Sequence, residues 1–279
     1  MKKFFLYTDG RTGSTAVCDL IGKHPELCCW QELFTYGADL GWLSTRDIAE
    51  LPEIEQEYDD EVVTHEAYCA LLGEDLDPRQ RLDRYLGYLE QKAVSQGKSG
   101  FGFKALYNHA SHWNVLDPLR ELSFDLIHHM RLNLARKYIS GIIARARGVY
   151  NSKSSVEFDE KVLIDVDYGR LLVGTSLRRY RQYDMDVRAS GFRCFSSVYE
   201  DFLRDKDSFM GSLFEFLGVE RVVVGESDWV RVLPDDLGEI IENMDEVQQF
   251  ILDEEYSVAD IVSQQSAESG TAPGRNAAP

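Results

Sequence analysis

Apolar and polar residues follow two periodicities along the chain, and the order in which they occur predicts an α/β fold. Apolar runs with the length of β-strands occur at residues 3–8, 27–30, 101–107, 125–130, 161–164 and 191–198. Amphipathic stretches with helical spacing occur at residues 14–22, 78–96, 113–120, 133–147, 168–183, 200–217 and 235–251. Strands that alternate with helices favour a central parallel sheet with helices on both faces.

The length of 279 residues is sufficient for one sizeable domain, which we expect to span residues 1–262. Within this domain, residues 41–77 are acidic and weakly patterned, which indicates an insertion or a lid over a site. Residues 263–279 are rich in Ser, Ala, Gly and Pro, and this composition predicts a disordered tail.

The net charge of −18 argues against binding to nucleic acid, because phosphate contacts need a clustered basic face. The acidic residues are concentrated: residues 234–260 carry ten and residues 47–61 carry eight, and neither stretch contains Lys or Arg. Residues 131–153, in contrast, are locally basic. We therefore expect an anionic ligand to be attracted to one part of the surface.

No apolar run approaches the roughly 20 residues that span a bilayer. Lys2-Lys3 and the apolar run after them have the charge order of a signal peptide, but Asp9 and Arg11 interrupt the run too early. The five cysteines are odd in number and lack metal-ligand spacing: Cys18, Cys28, Cys29, Cys69 and Cys194. Together these features predict a cytoplasmic protein with reduced thiols and no metal site.

The most informative motif is Arg11-Thr12-Gly13-Ser14-Thr15, which joins the first predicted strand to the first predicted helix. It combines a cation, a glycine, three hydroxyl groups and the N–H groups of a helix start, which suit a phosphate or sulfate dianion. The Gly-Lys-Ser/Thr of a Walker P-loop is absent. A Ser-Thr pair at such a junction is also an ordinary helix cap, so the motif needs support from a second anion site.

A second candidate anion site follows the predicted strand 125–130. Arg131 stands at the end of this strand, and Ser140 lies nine residues further on, within the next predicted helix. An arginine at a strand tip and a serine on the adjoining helix can hold a second phosphate together. The alternative is a surface arginine with an unrelated helical serine.

In combination, these segments resemble the sulfotransferases that use 3'-phosphoadenosine 5'-phosphosulfate (PAPS). Residues 11–15 match the motif that binds the 5'-phosphosulfate, and the pair Arg131 and Ser140 matches the motif that binds the 3'-phosphate. His24-Pro25-Glu26 and Glu32-Leu33-Phe34 follow the first motif as in bacterial sugar sulfotransferases of the nodulation-factor and trehalose types. A third matching segment is Val198-Tyr199-Glu200-Asp201-Phe202, followed by Phe216-Leu217-Gly218-Val219. The resemblance covers roughly residues 1–35 and 100–220.

The resemblance implies a sulfotransferase fold, which is a P-loop nucleotide-kinase-like arrangement. It also implies PAPS as cofactor, adenosine 3',5'-bisphosphate as product, and in-line transfer of a sulfonate to a hydroxyl of a sugar or lipid-linked acceptor. By the same resemblance, the 5'-phosphosulfate is held by Arg11, Thr12, Gly13, Ser14 and Thr15. Arg131 and Ser140 then hold the 3'-phosphate, and Tyr199 lies near the adenine; otherwise Tyr199 is a core aromatic residue.

The resemblance gives three candidate catalytic residues. Glu32 matches the glutamate proposed as the base in the bacterial sugar enzymes, and a structural or substrate-orienting role is its alternative. Lys104 lies in the predicted strand 101–107, where phenol and hydroxysteroid sulfotransferases carry Lys-Thr-His; here the histidine is displaced to His109. The alternative for Lys104 is a side chain that points to solvent.

The remaining polar residues leave other functions open. His128 and His129 are adjacent on a predicted strand, so at most one of them faces a cofactor. Arg178-Arg179-Tyr180-Arg181 predicts a solvated helix face or, alternatively, a contact with an anionic acceptor or the 3'-phosphate. Two other classes remain open: a nucleotide kinase-like phosphoryl transferase and a non-catalytic nucleotide-binding protein. The sequence leaves the oligomeric state open.

Overall fold

The computed structural model describes residues 1–35, 62–72, 76–154, 160–230, 233–234 and 236–253. Its residues cluster into two compact units. The first unit comprises Met1–Arg131, Asn151–Val156 and Tyr180–Val232, and the second comprises Leu132–Tyr150, Glu157–Arg179 and Leu233–Pro279. The expected tail at residues 263–279 and most of the expected insertion at 41–77 lie outside the described residues.

The first unit is built on a five-stranded sheet. Its strands are β1 (Lys2–Thr8), β2 (Leu27–Glu32), β3 (Gly100–Leu106), β4 (Asp125–Met130) and β5 (Cys194–Val198). The spatial order is β2-β3-β1-β4-β5, and every neighbouring pair is parallel. The α/β class with a central parallel sheet flanked by helices is therefore confirmed.

The strand order reverses between β1 and β4. From β1 the chain passes to β2 on one side, whereas from β4 it passes to β5 on the other side. In open α/β sheets, ligands bind outside the carboxyl ends of the strands where the order reverses in this way. Residues 9–13, which follow β1, and Arg131, which follows β4, lie at this edge.

Nine α-helices occur within the described ranges. They are α1 (Ser14–Gly22), α2 (His65–Leu72), α3 (Pro78–Ser95), α4 (Tyr107–His112), α5 (Leu116–Glu121), α6 (Leu134–Arg147), α7 (Val166–Ala189), α8 (Tyr199–Arg204) and α9 (Lys206–Leu217). A 3₁₀ turn at Leu237–Glu239 and a helical segment at residues 244–253 follow. In the described part of the chain, every helix is too short or too polar to cross a membrane.

Two of the predicted helices differ from the observed ones. The predicted helix 113–120 is observed as α5, which begins only at Leu116 because Asn114 has a left-handed φ of 48° that no helix accommodates, and residues 107–112 form α4, where no helix was predicted. The predicted helix 200–217 is broken at Asp205, whose φ is −151°. The carboxylate of Asp205 accepts a hydrogen bond from the Ser208 N–H at 3.0 Å, so this residue caps a new helix instead of continuing the old one.

The second unit contains two further differences from the sequence-based expectations. The predicted strand 161–164 is only an isolated parallel bridge between Val162 and Ile241. The Asn243 side chain bonds both the N–H and the C=O of Ile164, at 3.0 and 2.9 Å, so a side chain takes the place of a partner strand. Asp235 lies outside the described residues, and regular α-helix begins only at residue 244.

Both faces of β1 are buried in apolar side chains. Phe4 and Leu6 belong to a core cluster with residues of α1 and α9. On the opposite face, Phe5 packs against Phe103 with ring centroids 6.3 Å apart and against Phe192 at 5.3 Å. Because β1 is fixed on both faces, the turn that follows it starts from a rigid base.

Gly102 on β3 provides a test of this packing, because a Cβ at this position would overlap the ring of Phe4. We expect Gly102→Ala to lower the free energy of unfolding by about 1–3 kcal/mol through overpacking. Gly87→Ala on α3 is the matched control, since nothing lies within 4 Å of its added Cβ, and it should raise stability by about 0.5–1 kcal/mol. Denaturant unfolding measures both; equal effects would contradict the described packing.

Candidate anion-binding and acid–base site

The turn between β1 and α1 adopts left-handed backbone conformations at Arg11, with φ of 62°, and at Gly13, with φ of 76°. The ring of Tyr199 occupies the space into which a Cβ of residue 13 would project, so this position requires glycine for two reasons. Gly13 is also the N-cap of α1 and supplies no side-chain oxygen to the first turn. The N–H groups of that turn form the positive end of the helix and suit an anion.

Arg131 connects this turn to the end of β4. Its Nη1 donates to the backbone oxygen of Arg11 at 3.2 Å, and its guanidinium lies 4.9 Å from the centroid of the Tyr199 ring. Since Tyr199 also packs on Gly13, four of the predicted cofactor-binding residues are neighbours at the edge where the strand order reverses. Ser140 belongs to the second unit, where it is buried on α6.

His129 on β4 stabilises the turn through hydrogen bonds, although the sequence pattern indicated no definite role for it. This fully buried imidazole lies 3.1 Å from the Thr12 backbone oxygen through Nε2 and 2.9 Å from the Ser197 hydroxyl through Nδ1. Its burial lowers the pKa from 6.5 to about 4, so the ring is neutral near pH 7. Nε2–H then donates to Thr12, and Nδ1 accepts from Ser197.

Two threonine hydroxyls complete the support of the turn. Thr8 Oγ1 donates to the backbone oxygen of His129 at 2.7 Å and lies 2.8 Å from Thr12 Oγ1. Thr12 Oγ1 in turn donates to the Asp9 backbone oxygen at 3.0 Å. Thr12 and Ser14 are almost completely buried. The Thr12 hydroxyl thus stabilises the turn.

Lys104 joins the start of α1 to a carboxylate. Its side chain is almost completely buried, and its Nζ lies 3.0 Å from Thr15 Oγ1 and 2.8 Å from Glu32 Oε1. The solvent-facing alternative for Lys104 is therefore wrong. Lys104 therefore links Thr15, at the start of α1, to Glu32, at the end of β2.

A β-bulge aligns Glu32 with Lys104. The regular register pairs Trp30 with Phe103, but the next pair is Glu32 with Lys104, so Gln31 is the extra residue. The buried Gln31 amide donates to the Thr15 backbone oxygen at 3.1 Å. Without the bulge, Gln31 would oppose Lys104 in place of the carboxylate.

The pKa of Glu32 reflects opposing effects. Burial alone would raise it, but the charge and hydrogen bond of Lys104, together with the charge of His109, bring the pKa below its ordinary value. Glu32 is therefore ionised at neutral pH. His109 is buried on α4, within electrostatic range of the carboxylate, so all three candidate catalytic residues belong to one region.

Asn151 is a site residue that the sequence did not indicate, because it lies in a stretch without periodicity. Its Oδ1 accepts from the Thr15 hydroxyl at 3.3 Å, which directs the lone pairs of Thr15 Oγ1 toward Lys104. The adjacent Ser152 forms an antiparallel bridge with Val230.

The structure also describes His128 and the predicted arginine cluster of residues 178–181. His128 is buried, and its Nε2 lies 2.8 Å from the Tyr107 hydroxyl. Burial lowers its pKa to about 4. Arg178, Arg179 and Arg181 are exposed on α7, which agrees with the solvated face predicted from the sequence.

Several solved structures resemble this chain at low sequence identity. The sulfotransferase domain of the Synechococcus PCC 7002 olefin synthase is 19% identical, with a TM-score of 0.45 over 79% of this chain and 75% of that chain. A sulfotransferase from Alicyclobacillus acidocaldarius is 14% identical, with a TM-score of 0.45 over 94% and 96% of the two chains. Retinol dehydratase in a complex with retinol and PAP is 15% identical, with a TM-score of 0.36 over 91% and 82%.

No protein-family model matches the sequence, and neither does any curated protein. The similar solved structures have both low sequence identity and low TM-scores.

The support by His129 predicts a pH dependence of stability. Between about pH 6.5 and 4 the unfolded chain binds a proton at this residue and the folded chain does not, so the free energy of unfolding falls as the pH falls. We expect this residue to contribute a slope of up to about 1.4 kcal/mol per pH unit. The stability advantage of the wild type over His129→Gln should therefore shrink as the pH falls from 6.5 to 4.

Chemical denaturation at several pH values measures this difference. His112→Gln is the matched control, because His112 is exposed and should leave the slope of the wild type unchanged. Parallel stability curves for wild type and His129→Gln would contradict the role assigned to His129.

Proposed function

We propose that this chain is a PAPS-dependent sulfotransferase that transfers a sulfonate in line to a hydroxyl group of a sugar or lipid-linked acceptor. The observation that carries the proposal is the position of Lys104. This buried cation contacts Thr15 in the first turn of α1, where the helix start is suited to an anion. It also contacts the carboxylate of Glu32, which can accept a proton from an acceptor hydroxyl. This position supports a donor site and an acceptor site for group transfer on either side of one cation.

The donor set fits a nucleotide with two separated anionic groups. Arg11, the hydroxyl of Thr15 and the N–H groups at the start of α1 are suited to the 5'-phosphosulfate. Arg131, at the end of β4, is suited to the 3'-phosphate, and the partly exposed Tyr199 is suited to the adenine. We also assign Ser140 to the 3'-phosphate, and this assignment rests only on the sequence motif. When bound, PAPS supplies the sulfonate and a phosphate leaving group.

Lys104 has two tasks in this proposal. It stabilises the negative charge that develops on the leaving side, together with the helix start and Arg11. Its contact with an anion there also weakens its hold on Glu32. Because Lys104 lowers the pKa of Glu32, a weaker contact raises that pKa and makes the carboxylate a stronger base.

Glu32 accepts the proton of the acceptor hydroxyl in this mechanism, and its carboxylate is regenerated when that proton is lost to solvent. A side chain that is partly exposed can contact an acceptor, and 19% of the Glu32 side chain is exposed whereas only 2% of the Lys104 side chain is. His109 acts on the same carboxylate through its charge. We assign the base to Glu32 and the electrostatic tasks to Lys104 and His109.

The two arginines give the first test of this function. We expect Arg11→Ala and Arg131→Ala each to weaken binding of adenosine 3',5'-bisphosphate by about 1.5–3 kcal/mol, because each removes a charge-assisted contact. Isothermal calorimetry measures the affinity. Arg193→Ala is the control, since Arg193 pairs with Asp125 at the opposite edge of the same sheet and should leave binding unchanged.

Unchanged affinity in both variants would contradict the proposed anion sites. Tight binding of ATP that requires Mg²⁺, with no binding of the bisphosphate, would instead favour the phosphoryl-transferase alternative.

The second test concerns the base. Glu32→Gln keeps the shape of the side chain but removes its basicity, so turnover should fall about 10²–10⁴-fold while affinity for the bisphosphate is nearly unchanged. Transfer from radiolabelled PAPS to a panel of sugars and lipid-linked glycans measures turnover. Glu26→Gln is the matched control, because Glu26 precedes β2 at the opposite edge and bonds Ser99.

Bisphosphate binding without transfer to any acceptor in the wild type would support the non-catalytic alternative. Full turnover in Glu32→Gln would remove Glu32 as the base and leave the tasks of Lys104 and His109 to be tested in the same assay.

A further inference from the structure

Cys18 on α1 and Cys29 on β2 face each other across the interface of these two elements. Their sulfur atoms are 3.0 Å apart, and the Cys18 thiol donates to the Trp30 backbone oxygen, also at 3.0 Å. A disulfide bond is about 2.05 Å long, so bond formation requires an approach of only about 1 Å. The neighbouring Cys28 is directed elsewhere, since its thiol donates to Gln96 Oε1 at 2.9 Å.

The two thiols differ in accessibility to solvent, and this difference determines which of them is oxidised first. Cys18 is completely buried, whereas Cys29 is half-buried. A small oxidant therefore reaches Cys29 first, and Cys18 is in position to resolve the product. Burial raises the pKa of the Cys29 thiol, so only a small fraction is thiolate at neutral pH and its reaction with an oxidant is slow.

The pair also lies next to the candidate site. Cys18 follows Ser14 by one helical turn on α1, and Cys29 precedes Glu32 by three residues on β2. Cys29 lies within electrostatic range of Lys104. The two elements that carry the cysteines are thus those that position Thr15 and Glu32 around Lys104.

We propose that Cys18 and Cys29 form a redox-active dithiol that a peroxide converts to a disulfide, and that this bond alters the site between α1 and β2. The Cys29 thiolate attacks one peroxide oxygen, the O–O bond breaks, and a sulfenic acid and one water are formed. The Cys18 sulfur then attacks the sulfenic sulfur and displaces the second water. In sum, two thiols and one peroxide give one disulfide and two waters, and the two electrons pass from sulfur to oxygen.

The disulfide would change the site because the Cys18 thiol would no longer be a hydrogen-bond donor and the two sulfur atoms would move closer together. The Cys18 hydrogen bond to Trp30 is lost with the thiol proton, and α1 is drawn toward β2. Since Thr15 is in the first turn of α1, its distance to Lys104 changes. This part of the inference rests on the proposed function, whereas formation of the disulfide does not.

Peptide mapping of the full chain tests the bond itself. After treatment with hydrogen peroxide, blocking of free thiols under denaturing conditions and digestion, mass spectrometry should find the Cys18 peptide joined to the peptide of Cys28 and Cys29. The link should persist in Cys28→Ser and disappear in Cys29→Ser. Cys194→Ser is the matched control and should retain the link.

The proposal would be overturned if Cys18 and Cys29 were still free thiols, and so were completely blocked, after peroxide treatment that oxidises Cys69 or Cys194. A link that requires Cys28 would also overturn it. Bisphosphate affinity of the oxidised and reduced wild type then tests the coupling. We expect a loss of at least about threefold on oxidation, reversed by dithiothreitol and absent in Cys29→Ser.

Equal affinities in the two forms would overturn the coupling. If neither form binds the bisphosphate while the disulfide forms, the proposed function fails and the dithiol assignment stands.

Discussion

The candidate site depends on one buried ion pair. Lys104 is almost completely removed from solvent, and a cation in that position is tolerated only when a carboxylate and further acceptors surround it. Glu32 supplies the charge and Thr15 supplies the second acceptor. The cost of this arrangement explains why two further features support it: the bulge at Gln31 and the contact of Asn151 with Thr15.

The sequence predicted the sheet well because its strands are short, apolar and separated by strong helix signals. β1 and β4 are buried on both faces, so their apolar runs are nearly uninterrupted and their limits were predicted within one residue. The motif after β1 was also recognisable, since the required residues are consecutive. Where one side chain decides the outcome, the sequence pattern misled: helical periodicity predicted one continuous helix across Asp205, and an apolar run predicted a strand at residues 161–164, where the Asn243 side chain bonds Ile164.

The site was only partly predictable, and the reason is geometric. Glu32 and Lys104 were found through a resemblance, but their contact depends on a bulge that no residue pattern signals. His129 was named as one of two adjacent histidines without a task, because its partners Thr12 and Ser197 are distant in the sequence. Each such residue acts through a backbone oxygen or a neighbouring hydroxyl, and such contacts leave little trace in composition or periodicity.

The packing of Tyr199 on Gly13 has a consequence for how this protein can diverge. The two positions share one volume, so a larger residue at position 13 requires a smaller one at position 199. A smaller residue at 199 would in turn leave the Arg131 guanidinium without the aromatic face beneath it. Related chains should therefore vary at these three positions together, and a substitution at only one of them should accompany a different conformation of the turn after β1.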